Sequence, residues 1–207
     1  AGPALFLDPL TGNINLTSLT SDDPGATMAG TAANASGNGA GITLDACTGM
    51  LNVGTTTLSM VGTGTGVLLQ NNGAGNYNFG TTTISGLTAG GTGIDLNGGN
   101  GPAAMFVFGP TTITGTDGTG IDLTDSSGSL DVGNGNSSSI DLGGNGTAFV
   151  LNNANSNFVF GDGAAPPNST VNVAQVFDLT GYVPGQGSYN FLDLDLTNVN
   201  LGAPFGA

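Results

Sequence analysis

The sequence predicts an all-β protein: a single-stranded, right-handed parallel β-helix, or β-solenoid, of about six coils with a cap at each end. The first observation is a repeated motif, in which a glycine precedes a branched apolar residue, any residue and a leucine. The second is its spacing of roughly 25 to 28 residues, which is typical of solenoid repeats. The third is the frequency of turn-forming residues between short apolar runs, which leaves no room for helices. The motif occurs at Gly41–Leu44, Gly66–Leu69, Gly93–Leu96 and Gly120–Leu123, and in weaker form at Asn13–Leu16 and Ala148–Leu151.

The amino-acid composition also favours strands. The 207 residues include 39 glycines and no lysine, arginine or histidine, and the 14 acidic residues are all aspartates. Without Glu, Lys and Arg the chain lacks most of the strong helix formers, whereas Thr, Val, Ile and Phe favour strands. We expect the glycines at corners, where φ is positive or successive coils approach closely.

The charge excludes two classes of partner. The net charge is −14 and no side chain is cationic. Nucleic acids and anionic membranes are bound mainly through Lys and Arg, so neither is expected to bind. Each aspartate must be solvated, hydrogen-bonded, protonated or bound to a metal ion, because no side-chain ion pair can form.

Residues 1–29 are predicted to form an N-terminal cap or a donor segment, and a first coil fragment is the other assignment that the pattern allows. The apolar run Pro3–Leu10 contains two prolines, which suit the edge of a sheet, and strand-like Ile14–Leu16 follows it. The same run could instead dock on a neighbouring molecule.

Residues 30–161 are predicted to form the repeats of the β-helix. One unit contains three strands, around Thr81–Ile84, Ile94–Leu96 and Ala104–Phe108. The lone Cys47 is predicted to be a buried apolar residue. The predicted core consists of Ile42, Leu44, Val67, Leu69, Ile84, Ile94, Leu96, Phe106, Phe108, Ile113, Ile121, Leu123, Leu130, Phe149 and Leu151.

Residues 162–207 are predicted to form a C-terminal cap that contains strands. The repeat pattern breaks at Asp162–Asn168, which is rich in alanine and proline. Further on, Leu192, Leu194 and Leu196 alternate with aspartates, as in a strand with one apolar face. A cap is expected here because uncovered solenoid ends tend to stack on one another.

The units that contain Gly93–Leu96 and Phe79–Thr83 resemble the strand repeats of large secreted bacterial β-helix proteins. That group includes adhesins and the passenger regions of autotransporters. The resemblance implies an extracellular or cell-surface location and adhesive or structural work.

The sequence favours a non-enzymatic role as an extracellular structural protein. We expect identical subunits to join end to end by strand addition and to form a surface filament. The alternative is an adhesin module that binds a host or surface glycan. The residues predicted to mediate assembly are Leu5, Phe6, Leu7 and Leu10 at one end and Leu192, Leu194 and Leu196 at the other.

Asp95 and Asp122 occupy the same place in consecutive units, so their carboxylates should lie on neighbouring coils. Calcium could bridge this pair with help from Asp125, and no other cofactor is expected. The alternative is a solvated pair on a wet surface.

Two further functions have weaker support. Polysaccharide lyases use Lys, Arg or His, which are absent, whereas a glycoside hydrolase needs only two carboxylates. The threonine runs Thr55–Thr57, Thr81–Thr83 and Thr111–Thr114 would stack into ladders like those of ice-binding solenoids, although threonine is also an ordinary strand former.

Overall fold

The computed structural model describes residues 5–22, 40–161, 169–192 and 194–196. The regular secondary structure in that part of the chain consists of β-strands alone. They are β1 (Leu5–Leu7), β2 (Asn13–Asp22), β3 (Ala40–Asp45), β4 (Met50–Gly62), β5 (Thr65–Gln70), β6 (Gly75–Leu87), β7 (Thr92–Leu96), β8 (Ala104–Phe108), β9 (Thr111–Gly115), β10 (Thr119–Asp122), β11 (Ser127–Val132), β12 (Ser139–Asp141), β13 (Thr147–Val150), β14 (Asn155–Phe160), β15 (Ser169–Asn172), β16 (Gln175–Asp178), β17 (Ser188–Phe191) and β18 (Leu194–Leu196).

The strands form a parallel β-solenoid, which confirms the predicted fold class. Sheet A has one strand from each coil, in the order β1-β3-β5-β7-β10-β13-β16. Sheet B divides beyond β6 into two sets of strands, which are called its arms. The first arm continues through β8, β11, β14 and β17, and the second continues through β9, β12, β15 and β18. The long strands β2, β4 and β6 run through both arms. The solenoid makes about five turns, slightly fewer than expected.

Parallel pairing crosses both domain boundaries predicted from the sequence. Strand β1 pairs with β3, and β2 pairs with β4, so residues 5–22 form the first coil. Strands β15 to β18 extend the same sheets beyond residue 161. The segment 162–168, where the repeat pattern breaks, lies outside the described residues, as do Pro3 and Ala4 of the predicted donor run.

The interior is a stack of matched apolar residues. Every core residue predicted from the sequence is buried. Equivalent side chains of neighbouring coils lie in contact, as in the stacked rings of Phe79 and Phe108, whose centroids are 4.6 Å apart. Cys47 is also buried, and its burial raises the pKa of the thiol, in agreement with the predicted apolar role.

The glycines of the repeated motif are required by packing. Gly66, Gly93 and their counterparts in sheet A have no positive φ. A Cβ on Gly93 would lie 2.5 Å from the carbonyl oxygen of Gly120 and 3.0 Å from two methyl groups of Ile113. The missing side chain therefore leaves room for a column of aliphatic side chains, one from each coil, that are stacked along the inner side of the second arm. In the coil where alanine (Ala148) takes this place, the aliphatic residue of that column is the smaller Val171.

A buried pair of asparagines closes one corner. Asn72 and Asn100 are almost fully buried, and Asn72 Nδ2 donates to Asn100 Oδ1 at 3.0 Å. Asn72 Oδ1 also accepts from the backbone N–H of Cys47, and Asn100 Nδ2 donates to the carbonyl oxygen of Leu69. These amides satisfy backbone groups that turn away from the sheet ladders.

We expect Gly93→Ala to lower the free energy of unfolding by about 1–3 kcal/mol, because its Cβ would overpack the contact between coils. Chemical denaturation followed by circular dichroism measures this change. Gly12→Ala is the matched control, since nothing lies within 4 Å of a Cβ at that position. Equal stability of the two variants would contradict the packing role of the motif glycine.

Candidate functional sites

The first candidate site is the pair of Asp95 and Asp122 on the outer face of sheet A. Strands β7 and β10 place the two residues directly opposite each other, as the repeat predicted. Both are half-buried. Their column continues through Leu68 on one side and Val150 on the other, so apolar residues lie on both sides of the pair.

The neighbours of Asp95 and Asp122 on adjacent coils differ from those of three other aspartates. Amide side chains of the next coil donate to those carboxylates, in the pairs Gln70–Asp45, Asn153–Asp125 and Asn172–Asp141. In the pair of interest, the hydrogen bond that Asp122 Oδ1 accepts within the described part of the chain is local, from the backbone N–H of Thr124 at 2.8 Å.

Burial and like charge both act on Asp95. Loss of solvent is the larger cause and the neighbouring Asp122 carboxylate the smaller one, and together they raise the pKa of Asp95 to about 7. A hydrogen bond with the side chain of Asn97 acts in the opposite direction. Close to neutral pH, both the protonated and the ionised form of the Asp95 carboxyl are therefore populated.

Asp125 does not complete a three-carboxylate site. It is exposed at the corner after β10, with a φ of 52°, and accepts a hydrogen bond from Asn153. Among the described residues there is no group of three or more His, Cys, Asp or Glu side chains that could hold a metal ion. Calcium binding at Asp95 and Asp122 stays a prediction, and water or neutral oxygens would have to supply the remaining ligands.

The second candidate site is the N-terminal end of the solenoid. Within the described residues, β1 pairs only with β3 and β2 only with β4. Leu5, Leu7 and Leu10 are half-buried and pack against the core, whereas Phe6 is 37% exposed on the outer face. Leu5–Leu7 thus forms a strand of its own chain, with its other edge directed away from the described coils.

The third candidate site is the C-terminal end. There, β16, β17 and β18 each pair on one side within the described part of the chain. Leu194 is half-buried, Leu192 is exposed after β17, and Leu196 is 41% exposed although its column is buried in the preceding coils. The structure therefore brings the two predicted groups of assembly residues to opposite ends of the same sheets.

Sequence reasoning missed two apolar residues at the C-terminal end. Phe177 and Phe191 are half-buried, and their ring centroids lie 4.7 Å apart in an edge-to-face contact. Within the described residues they are the last members of two columns of stacked side chains whose first members are Leu5 and Leu16. Alternation in Ser188–Phe191 was the available signal, but the register that connects it to β14 is visible only in the folded chain.

The described residues contain no helix that could span a membrane. Comparison of the sequence with protein-family models and with curated proteins finds no match, and comparison of the structure with solved structures finds none either.

We expect the stability of the protein to fall as the pH rises from about 4 through 7, in part because of Asp95. A carboxyl with a raised pKa in the folded state stabilises the fold fully below its ordinary pKa, and the contribution is lost as the pH passes the folded value of about 7. Asp95→Asn should therefore be more stable than the parent by about 1–3 kcal/mol at pH 8 and should lose this part of the pH dependence. Urea unfolding at several pH values measures both. Asp8→Asn, at an exposed position, controls for loss of one charge, and an equal effect there would contradict the role of burial.

Calcium is expected to raise the melting temperature, because a bound divalent cation would offset the repulsion between Asp95 and Asp122. Asp122→Asn should abolish that rise, whereas Asp131→Asn on sheet B should retain it. Thermal melting with calcium and with a chelator measures the response. The same rise in the Asp122 variant would rule out calcium at this pair.

Proposed function

We propose that this chain is an extracellular structural protein, a subunit of a filament that grows by end-to-end strand addition between identical copies. The observation that carries the proposal is the match between the two ends of the solenoid. The last coil ends with β16, β17 and β18, and the first coil presents β1 and the two halves of β2 in the same order. A second copy placed after β18 would continue each sheet as the next coil does within the chain.

The inward columns of the two ends are chemically compatible. Phe177 would meet Leu5 of the next copy, Tyr189 would meet Ile14, and Phe191 would meet Leu16. These side chains are half-buried in the single chain. Stacking them would remove apolar surface from water at both ends, which favours association by about 25 cal/mol for each Å² buried.

The outward columns of the two ends avoid contact between like charges. The column of Asp178 begins with Phe6, and the column of Asp195 begins with Thr20. Each terminal carboxylate would therefore face a neutral residue in the next copy. Because this contact is head to tail and does not close on itself, it produces a filament.

The net charge opposes this assembly at long range. Every subunit carries a formal charge of −14 with no cation to offset it. Repulsion between exposed charges falls as salt shortens the Debye length, which is about 10 Å at 0.1 M ionic strength. Filament growth should accordingly be favoured by salt and by acid, both of which weaken the repulsion.

The extracellular location is supported by the resemblance to secreted bacterial β-helix repeats, carried by Phe79–Thr83 and Gly93–Leu96. It is also consistent with a chain that offers no Lys or Arg to trypsin-like proteases.

The alternative function, binding of a surface glycan, is favoured by one neutral groove. This groove of about 370 Å³ runs across the first coils at the corner before the first arm of sheet B. None of its lining residues is charged, so its ligand would be a neutral sugar. The lining residues are Thr11, Asn13, Thr48, Gly49, Met50, Ala74, Gly75, Asn76 and Ala103.

We expect Phe6→Asp to abolish filaments and Phe6→Lys to preserve them. The aspartate would face Asp178 of the neighbouring copy, and two such charges in contact repel by about 1 kcal/mol in water and by more when partly buried. The lysine would face the same carboxylate with the opposite charge. Electron microscopy and sedimentation of the purified full chain at several salt concentrations measure assembly.

Circular dichroism of both Phe6 variants controls for folding. Equal assembly of the two variants would contradict the proposed register. Separate short rods of the parent chain at every salt concentration and pH would contradict the filament itself and favour the glycan-binding alternative. A chain that lacks residues 1–10 is expected to stay monomeric and folded, and filaments of that chain would also contradict the proposal.

A further inference from the structure

The outer face of the second arm of sheet B carries two columns of hydroxyl side chains. Strands β2, β4, β6 and β9 supply them in register, so that each side chain stacks on its counterpart. The members lie exposed or half-buried on this face. The first column is Ser18, Thr55 and Thr81, the second is Thr20, Thr57, Thr83 and Thr112, and together they are named the threonine grid.

The threonine grid is regular in two directions. Parallel strands place its rows about 4.8 Å apart, and alternate residues along one strand are about 6.6 Å apart. The pairing of Ser18–Asp22 with β4, and of Thr55–Ser59 with β6, has no register shift. The result is an array with two nearly constant repeat distances.

The hydroxyls of the threonine grid differ from those of the neighbouring buried column, which is formed by Thr56, Thr82 and Thr111. In that column Thr82 Oγ1 donates to Gly80 O at 3.2 Å and Thr111 Oγ1 donates to Gly109 O at 2.9 Å, whereas the buried Thr56 Oγ1 has no partner in the described part of the chain. The grid members Thr81 and Thr83 make no such side-chain bond to another residue in the described part of the chain. The outward hydroxyls are therefore available to an external partner.

The threonine grid is also uncharged in a chain of net charge −14. The outer face of sheet A carries Asp95 and Asp122, and the first arm of sheet B carries Asp131. In the longer grid column a carboxylate appears only in the last coil, at Asp195, three strands beyond Thr112. Elsewhere on this arm, carboxylates belong to Asp22, two residues after Thr20 on β2, and to Asp141 on β12, so the uncharged surface is the threonine grid itself.

We propose that the threonine grid binds the surface of ice. Each hydroxyl donates and accepts hydrogen bonds as a water molecule does, and the adjacent methyl groups order the water that lies between the columns. The two repeat distances are nearly constant, so water held over the grid would be ordered in a regular array of the kind that a crystal face presents. The grid members are uncharged, so they lose no charge hydration on contact with a solid whose surface carries no charge.

The chemistry of the threonine grid is less suited to other partners. Protein interfaces and sugar platforms depend on aromatic or arginine anchors, and the grid contains neither. Nucleic acid requires cationic side chains, which the whole chain lacks.

The test is the freezing behaviour of the purified full chain, kept under conditions in which it is monomeric. We expect thermal hysteresis and inhibition of ice recrystallisation in the parent chain and loss of both in Thr83→Tyr, because the ring would lift the ice away from the grid. Tyrosine is a good strand former, so the fold should persist. Thr119→Tyr, in the threonine column of sheet A, is the matched control and should retain activity.

Two results would overturn this inference: absence of any effect of the folded parent chain on ice growth, or equal activity of Thr83→Tyr and the parent. A second variant, Thr83→Val, keeps the shape of the side chain and removes one hydroxyl. A partial loss in this variant would support the role assigned to the hydroxyls.

Discussion

The continuous backbone ladder between successive coils is the constraint on which the rest of this structure depends. Every coil must repeat the path of the previous coil at the spacing of parallel strands. Equivalent residues therefore lie directly above one another, and a side chain is acceptable only if its counterparts are compatible with it. Gly93 shows the strictness of the constraint, since its neighbours Gly120 and Ile113 leave no room for a Cβ. The motif is repeated in the sequence because every coil has to meet this packing requirement at the same position.

The same stacking sets the rules for polar groups. Inside the solenoid, Asn72 and Asn100 pair with each other and with backbone groups of adjacent coils. Outside, a chain without cations has to separate its carboxylates or give them amide partners, as Asn172 does for Asp141. Asp95 and Asp122 depart from this rule, and the raised pKa of Asp95 is the physical consequence. Such a departure is typical of functional sites, although carboxylates stacked for structural reasons show it as well.

The ends and the faces of a solenoid offer different kinds of surface. At the ends of the described coils the apolar columns and the strand edges stop together, and this is the surface that the proposed filament would use. On the faces each column repeats one chemistry over several coils. This makes the uncharged threonine grid, with Thr57 and Thr83, chemically distinct from the part of sheet A that carries Asp95 and Asp122. The proposed filament uses the ends, and the proposed ice-binding face uses a side, so neither role excludes the other.

The sequence by itself determined the fold class, the position of the core and the alignment of Asp95 with Asp122, because a repeat forces equivalent residues into one column. It left the N-terminal residues open between a first coil fragment, a cap and a donor segment, and strand pairing shows Leu5–Leu7 as part of the first coil. Nor did it predict that Asp125 lies apart from the aspartate pair, or that Phe177 and Phe191 close the apolar columns. Those features depend on corner geometry and on the register of irregular coils, which are decided by packing between residues far apart in the chain.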